Sequence, residues 1–335
     1  MMMHLALILL AAAACGLAVA LLTRPVRAWL IRMDVHDAPN ARSSHSALKP
    51  RGGGLAVLAV VLPAWLVAGW WVNGHAPLAL VGLTAALAAL SFVDDIRGLS
   101  AAPRLLGQLA AVVGGLIAID PEPLLAGWLP LWLERGVLAV AWLWFVNLYN
   151  FMDGIDGITA VETCAIAFGL GLVALLTGHG VAGTAAPWLL AGASAGFLWW
   201  NWAPSRIFLG DAGSVALGFA LGWLLVDLAA RGHLAAALIL PAYYLLDATA
   251  TLLQRLLRGE KVWQAHKEHA YQRAVQRGLS HGVVAGRIAA ANLILVGCAL
   301  WAAHGQPWLA AAAASLVCLG LWANLRYGGR VFARA

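Results

Sequence analysis

An all-α, polytopic membrane protein is the fold class this sequence predicts, and three observations predict it. Hydrophobic residues fill 62% of the 335 positions and charged residues only 11%, where soluble domains carry about 25% charged residues. The apolar residues gather in runs close to the ~20 residues needed to cross a hydrocarbon core of ~30 Å. The Lys and Arg residues crowd some of the intervening loops and avoid the others, the asymmetry that sets membrane orientation.

Taken in order, the runs give about eleven expected spans: 4–23, 54–72, 77–93, 104–119, 137–151, 158–177, 186–202, 214–230, 234–257, 283–303 and 307–325. The first has no basic residue before it. Ala-Ala-Ala-Cys15 has a faint look of a lipoprotein cleavage site, but the chain stays apolar beyond it, so a retained helix is expected. Nineteen of the 21 Lys and Arg fall on one side of the resulting topology, leaving Arg135 and Arg231 on the other. This puts the N-terminus outside and the C-terminus in the cytoplasm. The strip Asp120–Gly136, with Trp128 and Trp132, reads as interfacial. No internal repeat is visible, and the chain reads as one transmembrane catalytic domain, 1–335.

The net charge of +6 follows this loop bias and presents no solvated basic patch, so nucleic acid is not an expected partner. Cys15, Cys164, Cys298 and Cys318 lie inside apolar runs without metal-type spacing, as small core residues do.

The same topology collects the acidic motifs on one face, in loops 40–54, 94–104, 147–159, 201–214 and 255–282. At the centre stands Asn147-Leu-Tyr-Asn150-Phe-Met-Asp153-Gly-Ile-Asp156-Gly. Its two carboxylates, three apart, share a face if the stretch is helical. A carboxylate at a membrane boundary costs a few kcal/mol unless paired or cation-bound. Asp94-Asp95 reads either as a solvated helix end partnered by Arg97 or as a metal or general-base pair, since adjacent carboxylates raise each other's proton affinity. In Phe208-Leu-Gly-Asp211-Ala-Gly-Ser214, Asp211 or Ser214 could simply cap the following helix, and that helix start is also a natural phosphate seat. Lys49-Pro-Arg51-Gly-Gly-Gly54 places two cations before a helix whose glycines suggest close approach of an anion. His266, His269 and Arg273 share a helical face, with no third histidine or cysteine to make a zinc site. Glu162, Asp227 and Asp247 are isolated within spans, and Asp247 is expected to pair with a neighbouring helix. Carboxylates facing cations on one membrane face fit a Mg²⁺–diphosphate substrate, because Mg²⁺ takes one or two protein carboxylates and completes its shell with phosphate oxygens and water.

The order Asp94-Asp95, Asn150-Phe-Met-Asp153-Gly-Ile-Asp156-Gly, Phe208-Leu-Gly-Asp211-Ala-Gly-Ser and the histidine loop resembles the polyprenyl-phosphate N-acetylhexosamine-1-phosphate transferases, over Lys49 to Arg273. The resemblance implies transfer of a sugar-1-phosphate from a UDP-N-acetylhexosamine to undecaprenyl phosphate, with release of UMP, in a bacterial inner membrane. It further implies Mg²⁺, with Mn²⁺ as the alternative, held by Asp211 with Asp95. Asp94, Asp95, Asp211, His266 and His269 fall at catalytic positions of that family. Lys49, Arg51, Asn150, Asp153, Asp156, Asn201, Phe208 and Arg273 match substrate-binding ones, and a homodimer is a further expectation. The form His266-Lys-Glu-His269-Ala-Tyr-Gln is similar to the branch that starts O-antigen chains, whereas the muramoyl-pentapeptide branch carries consecutive histidines. N-acetylglucosamine or a 6-deoxy relative is therefore the expected sugar, with Tyr271 and Gln272 close enough to hydrogen-bond it. Two rival classes fit less well. A prenyl synthase expects Asp-Asp-x-x-Asp, and a cation-coupled transporter places its charges near mid-membrane.

Overall fold

The computed structural model describes residues 2–37, 49–120, 123–124, 128–261 and 266–328. Positions 40–48 of the first basic loop, 262–265 of the histidine loop and the tail from 329 lie outside the described residues. The elements are α1 (Met2–Arg32), β1 (His36–Asp37), β2 (Lys49–Pro50), α2 (Gly54–Asn73), α3 (Leu78–Arg97), α4 (Ala101–Ile119), α5 (Leu131–Phe151), α6 (Ile158–Leu176), α7 (Gly180–Asn201) and α8 (Asp211–Leu228). There follow α9 (Leu234–Ile239), α10 (Ala242–Leu257), α11 (Ala270–Gln276), α12 (His281–Ala303) and α13 (Pro307–Tyr327). The only sheet among the described residues is the two-residue antiparallel pairing of β1 with β2.

Nine helices among the described residues are long and apolar enough to cross a membrane, and the chain is a multi-pass membrane protein. The eleven expected runs do not map onto them one to one. The run 234–257 breaks at Leu240-Pro241 into a six-residue and a sixteen-residue helix, because proline lacks the amide hydrogen that would carry the helix onward. Upstream, α8 leads into α9 through five residues of π-type hydrogen bonding, in which Gly232 leaves helical geometry at φ 90°.

Apolarity on all sides of a helix means burial in a core or in lipid, and the helices divide along that line. Nearly all of α8 is buried, from Ala212 through Leu228. It packs against α3, α5 and α6, with Phe219 stacked on Trp142 at 5.0 Å. The outer helices instead expose large apolar side chains, such as Leu10, Leu17 and Leu21 on α1 and Leu316 on α13, as a lipid-facing surface requires. Trp128 and Trp132 are likewise exposed.

Contacts between distant loops gather the motifs at one end of the bundle. Arg27 on α1 donates to the Arg206 carbonyl at 2.9 Å, and Arg326 on α13 to the Glu268 carbonyl at 2.9 Å. Arg277 reaches the last carbonyls of α13, including Leu325 at 2.6 Å. The histidine loop is thereby fixed to the C-terminal helix.

Candidate active site

Arg51 is the hub of the first cluster. Its guanidinium lies 2.7 Å from Asp95 Oδ1 and 2.6 Å from Asp211 Oδ1. One guanidinium nitrogen thus bridges the two carboxylates. Just after β2, Arg51 bridges to Phe208, whose carbonyl accepts the amides of Gly52 and Gly53 at 3.2 and 2.8 Å. Of the three glycines, Gly54 makes a close approach of backbone to backbone, while Gly53 packs under the Phe197 ring and Gly52 takes a φ of 114° against Leu30. A Cβ at Gly54 would lie 2.1 Å from the Gly213 Cα.

The start of α8 is capped from another helix. Asp95, at the end of α3, accepts the amides of Asp211 and Ala212 at 3.3 and 3.1 Å. Neither Asp211 nor Ser214 acts as the cap, and the N-cap position is Gly210. The negative charge of Asp95 thus sits where the helix dipole favours it. Asn150, from the end of α5, donates to Asp211 Oδ1 at 3.0 Å and to Ser214 Oγ at 2.8 Å. Asp211 Oδ2 accepts no hydrogen bond among the described residues.

Asp94 faces away from Asp95. Its Oδ1 accepts the Leu99 amide at 2.6 Å, which the left-handed Gly98 (φ 65°) turns back over the end of α3. Its Oδ2 pairs with Arg104 at 3.0 Å, so the partner is Arg104 rather than the expected Arg97. A cavity of about 180 Å³ opens between these groups, lined by Asp94, Arg104, Gln108, Asn147, Asn150 and Asp211. Larger cavities between α9 and α13, and between α1 and α7, are lined almost wholly by apolar side chains and hold no comparable cluster.

The stretch after α5 is not helical: residues 152–157 form turns, and the next helix starts at Ile158. Asp153 and Asp156 therefore do not share a face. Asp153 lies within electrostatic reach of Asp211, Arg51 and Asp95. Burial pushes its carboxyl up to about 7, with the Asp211 and Asp95 charges adding to the rise and the Thr159 hydroxyl and Arg51 opposing it.

Asp156 turns into a second cluster. Its oxygens accept the Ser205 amide at 3.0 Å and the Ser205 hydroxyl at 2.7 Å, and lie 3.5 Å from Lys49 Nζ and 3.4 Å from His281 Nδ1. Burial works to raise this carboxyl, but the His281 and Ser205 contacts and the Lys49 ammonium outweigh it and hold the group below the usual carboxylate range. Lys49 also donates to Ser205 Oγ at 3.0 Å and lies 5.0 Å above the Phe208 ring. Asn201 closes the joint, accepting the Gly157 amide at 3.1 Å and donating to the Ile207 carbonyl at 3.0 Å.

The histidine loop departs from the single helical face expected of it. The helix begins only at Ala270, so His266 lies ahead of it and His269 occupies its N-cap, which removes Arg273 from a shared stripe. The two rings still lie 4.8 Å apart. Burial brings both imidazoles down to about 4, helped at His266 by His269 and Arg255, and at His269 by Arg255 and Arg326 against a hydrogen bond to the Asp247 backbone. Both rings are uncharged at neutral pH. His269 Nδ1 has no hydrogen-bond partner among the described residues. Arg273 pairs with Glu268 at 2.8 Å. Tyr271 and Gln272, expected beside the sugar, are buried and engaged within the protein: Tyr271 Oη donates to the Phe151 carbonyl at 3.1 Å, and Gln272 Oε1 accepts the His269 amide at 3.3 Å.

Sequence reasoning missed Arg104, Ser205 and His281 as members of these clusters. Arg104 carried a signal, as a cation opening the helix ten residues after Asp94. Ser205 and His281 carried none, since their partners are distant in the chain.

The hard oxygen donors at the start of α8 suit Mg²⁺. Among the described residues no three His, Cys, Asp or Glu side chains gather at metal-ligand spacing. That leaves the coordination mode in which one or two carboxylates hold the ion and a phosphate substrate completes its shell. Asp211, with an oxygen left over on a residue that lines a polar cavity, fits that mode, whereas the expected second ligand, Asp95, is buried with its oxygens engaged by Arg51 and by the Asp211 and Ala212 amides.

Residues 77–229 match the family model described as glycosyl transferase family 4. A probable undecaprenyl-phosphate N-acetylglucosaminyl 1-phosphate transferase of Bacillus subtilis is 27% identical over 277 residues, covering 79% of this chain and 76% of the relative. A phospho-N-acetylmuramoyl-pentapeptide-transferase of Moorella thermoacetica is 30% identical over 284 residues, covering 73% and 83%. A second enzyme of that name, from Dinoroseobacter shibae, is 30% identical over 254 residues, covering 65% and 69%. Sharing this sequence with such relatives over most of their length, the chain belongs to glycosyl transferase family 4, the family of polyprenyl-phosphate sugar-1-phosphate transferases.

Proposed function

We propose that this protein transfers N-acetylhexosamine-1-phosphate from a UDP-sugar to undecaprenyl phosphate and releases UMP, at the cytoplasmic side of the bacterial inner membrane. The observation that carries the reading is the α3–α8 junction. There Asn150 and Asp211 line the cavity shared with Asp94 and Arg104, and Arg51 bridges Asp211 to the buried Asp95. A phosphate oxygen of the acceptor attacks the phosphorus bearing the sugar, a new P–O bond forms, and the bond to UMP breaks. A phosphate monoester has a second pKa near 6, so the acceptor needs little deprotonation at neutral pH. The acidic residues then act by placing charge rather than by removing a proton.

Asp211 would hold Mg²⁺, or Mn²⁺ in its place, with Asp95 fixing the helix start behind it, and the ion would supply charge neutralisation for the diphosphate and for UMP as it leaves. Arg51 keeps those two carboxylates at a fixed separation. Asn150 orients the Asp211 carboxylate through its Oδ1, leaving Oδ2 for other partners. Arg104, paired with Asp94, places a cation in the cavity for the acceptor phosphate. Asp153 bears on the same cluster at closer to neutral charge. Lys49, Asp156, Asn201 and Phe208 support the nucleotide side by fixing loops 49–54 and 201–210. The uncharged rings of His266 and His269 serve as hydrogen-bonding groups, not as cations for the diphosphate.

The sugar is N-acetylglucosamine or a 6-deoxy relative in this reading, and the product starts a lipid-linked surface polysaccharide of the O-antigen kind. The Bacillus subtilis relative's name and the spaced His266/His269 support it. The burial of Tyr271 and Gln272 removes one ground for it. A second reading, a pentapeptide-bearing substrate, has the support of the relatives at 30% identity. The test is a panel of UDP-sugars offered to purified protein with undecaprenyl phosphate, with and without Mg²⁺, read as UMP release. Mg²⁺-dependent turnover of UDP-N-acetylglucosamine or a 6-deoxy analogue is expected. Preferential turnover of UDP-N-acetylmuramoyl-pentapeptide replaces the sugar assignment, and silence with every UDP-sugar overturns the reaction.

A further inference from the structure

Asp247 lies in the core of the bundle, 0% exposed, and no step described above uses it. Its carboxylate accepts from the Tyr243 hydroxyl at 3.1 Å and the Thr251 hydroxyl at 3.3 Å on its own helix, α10. It also accepts the backbone amides of Ala270 and Tyr271 at 2.8 and 3.3 Å. The first turn of α11 is therefore fixed to α10 at one point by a single buried carboxyl.

From that point the Tyr271 side chain spans to the turn between α5 and α6. Its ring is fully buried and stacks on His269 at 5.7 Å with 9° between the planes. Its hydroxyl donates to the Phe151 carbonyl at 3.1 Å. Beyond Asp153, the chain passes so close that a Cβ at Gly154 would lie 2.1 Å from Tyr271 Oη and 3.0 Å from Cζ. One side chain thus touches the residues on both sides of Met152-Asp153, one by a hydrogen bond and one by contact. A phenylalanine would fill the same space, so the oxygen is the informative atom. It is buried, and it meets its hydrogen-bonding requirement on the backbone of the acidic turn instead of in solvent.

We propose that Tyr271, anchored through Asp247, is a positioning residue of the transfer reaction: it sets where the Asp153 carboxylate stands relative to Asp211 and Asn150, and so ties the histidine loop to the acidic turn. The proposal rests on the reaction assigned above. It also accounts for the fate of Tyr271 and Gln272, which brace the site from behind instead of contacting the sugar. A misplacement of ~1 Å in a catalytic group is enough to cost up to about a hundredfold in rate, so the loss of one hydroxyl here has a kinetic consequence out of proportion to its effect on folding.

The experiment compares the full-length wild type, Tyr271→Phe, Gly154→Ala and the double variant, by UMP release and by thermal midpoint in the same detergent. Tyr271→Phe is expected to melt near the wild type, with KM for the UDP-sugar little changed and kcat down about tenfold. Gly154→Ala is expected to lose more, since its new Cβ meets Oη. The double variant is expected to recover part of that loss in both rate and melting midpoint, because removing the hydroxyl takes away the closest clash and leaves Cζ at 3.0 Å. Wild-type kcat in Tyr271→Phe, or losses that simply multiply in the double variant, overturns the proposal. If the wild type turns over no UDP-sugar, the reaction assignment fails instead. The melting midpoints of the four proteins then still decide the strut, with purely additive losses overturning it.

Discussion

Two carboxylate clusters stand at the same end of this bundle, and they differ in what is left over. Around Asp156 both oxygens are taken by Ser205, Lys49 and His281. Around Asp211 one oxygen serves Arg51 and Asn150, while the other has no partner among the described residues and borders a polar cavity. The first cluster joins loops that are distant in sequence, and its acidity is deepened by its partners. The second keeps coordination capacity for a ligand. A carboxylate that completes its hydrogen bonds inside the fold is a fastening, and one that does not is a candidate for chemistry. The two members of a single Asp-Gly-Ile-Asp-Gly motif are divided between these roles.

Asp95→Asn gives the largest effect expected from this division. It removes the charge that caps α8 and half of the Arg51 bridge, and should lower turnover by about 10²–10³-fold, the scale of losing one preorganised electrostatic group. UMP release at saturating Mg²⁺ and UDP-sugar measures it. Turnover close to wild type would erase the distinction between the clusters.

Asp153→Asn sharpens the comparison through pH. With its carboxyl pushed up to about 7, Asp153 ionises across the neutral range, and the wild-type rate should climb from pH 6 to 8. The Asn variant should run about tenfold slower at pH 8 with a flatter profile. Stability moves oppositely. A raised carboxyl favours the folded state fully below the unfolded value near 4, and that contribution is lost as pH rises to about 7. At pH 8 the Asn variant should therefore melt higher than the wild type. A steep pH–rate profile retained by Asp153→Asn would assign the titration to another group.

Much of this arrangement is legible in the sequence, in a particular way. Hydropathy marks the helices, and the loop charge pattern brings Asp94-Asp95, Asn150 to Asp156 and Asp211 to one face. The break at Leu240-Pro241 had a visible signal in its proline. What sequence periodicity misses is set by long-range contact. The cap on α8 comes from Asp95 on another helix, so the local Gly-Asp-Ala-Gly-Ser pattern points to the wrong residue. Gly54 admits the Gly213 backbone, a neighbour that glycine content alone does not identify. Three-residue spacing suggested a shared face for Asp153 and Asp156, but the glycines after them permit turns that send the two side chains apart. Gly157, at φ 80°, lies in the left-handed region that other residues avoid.

The most direct test sets Asp211→Asn beside Asp156→Asn, measuring kcat per folded molecule and the thermal midpoint down to acid pH. The depressed Asp156 carboxyl contributes stability above the unfolded value near 4, and that contribution is lost as pH falls below it. The account predicts that Asp211→Asn melts near the wild type and loses most turnover. It predicts that Asp156→Asn loses about 1–3 kcal/mol of stability and much of the steep fall in midpoint below pH 4, while its folded fraction keeps kcat. Full turnover in Asp211→Asn, or a stable but inactive Asp156→Asn, would contradict it.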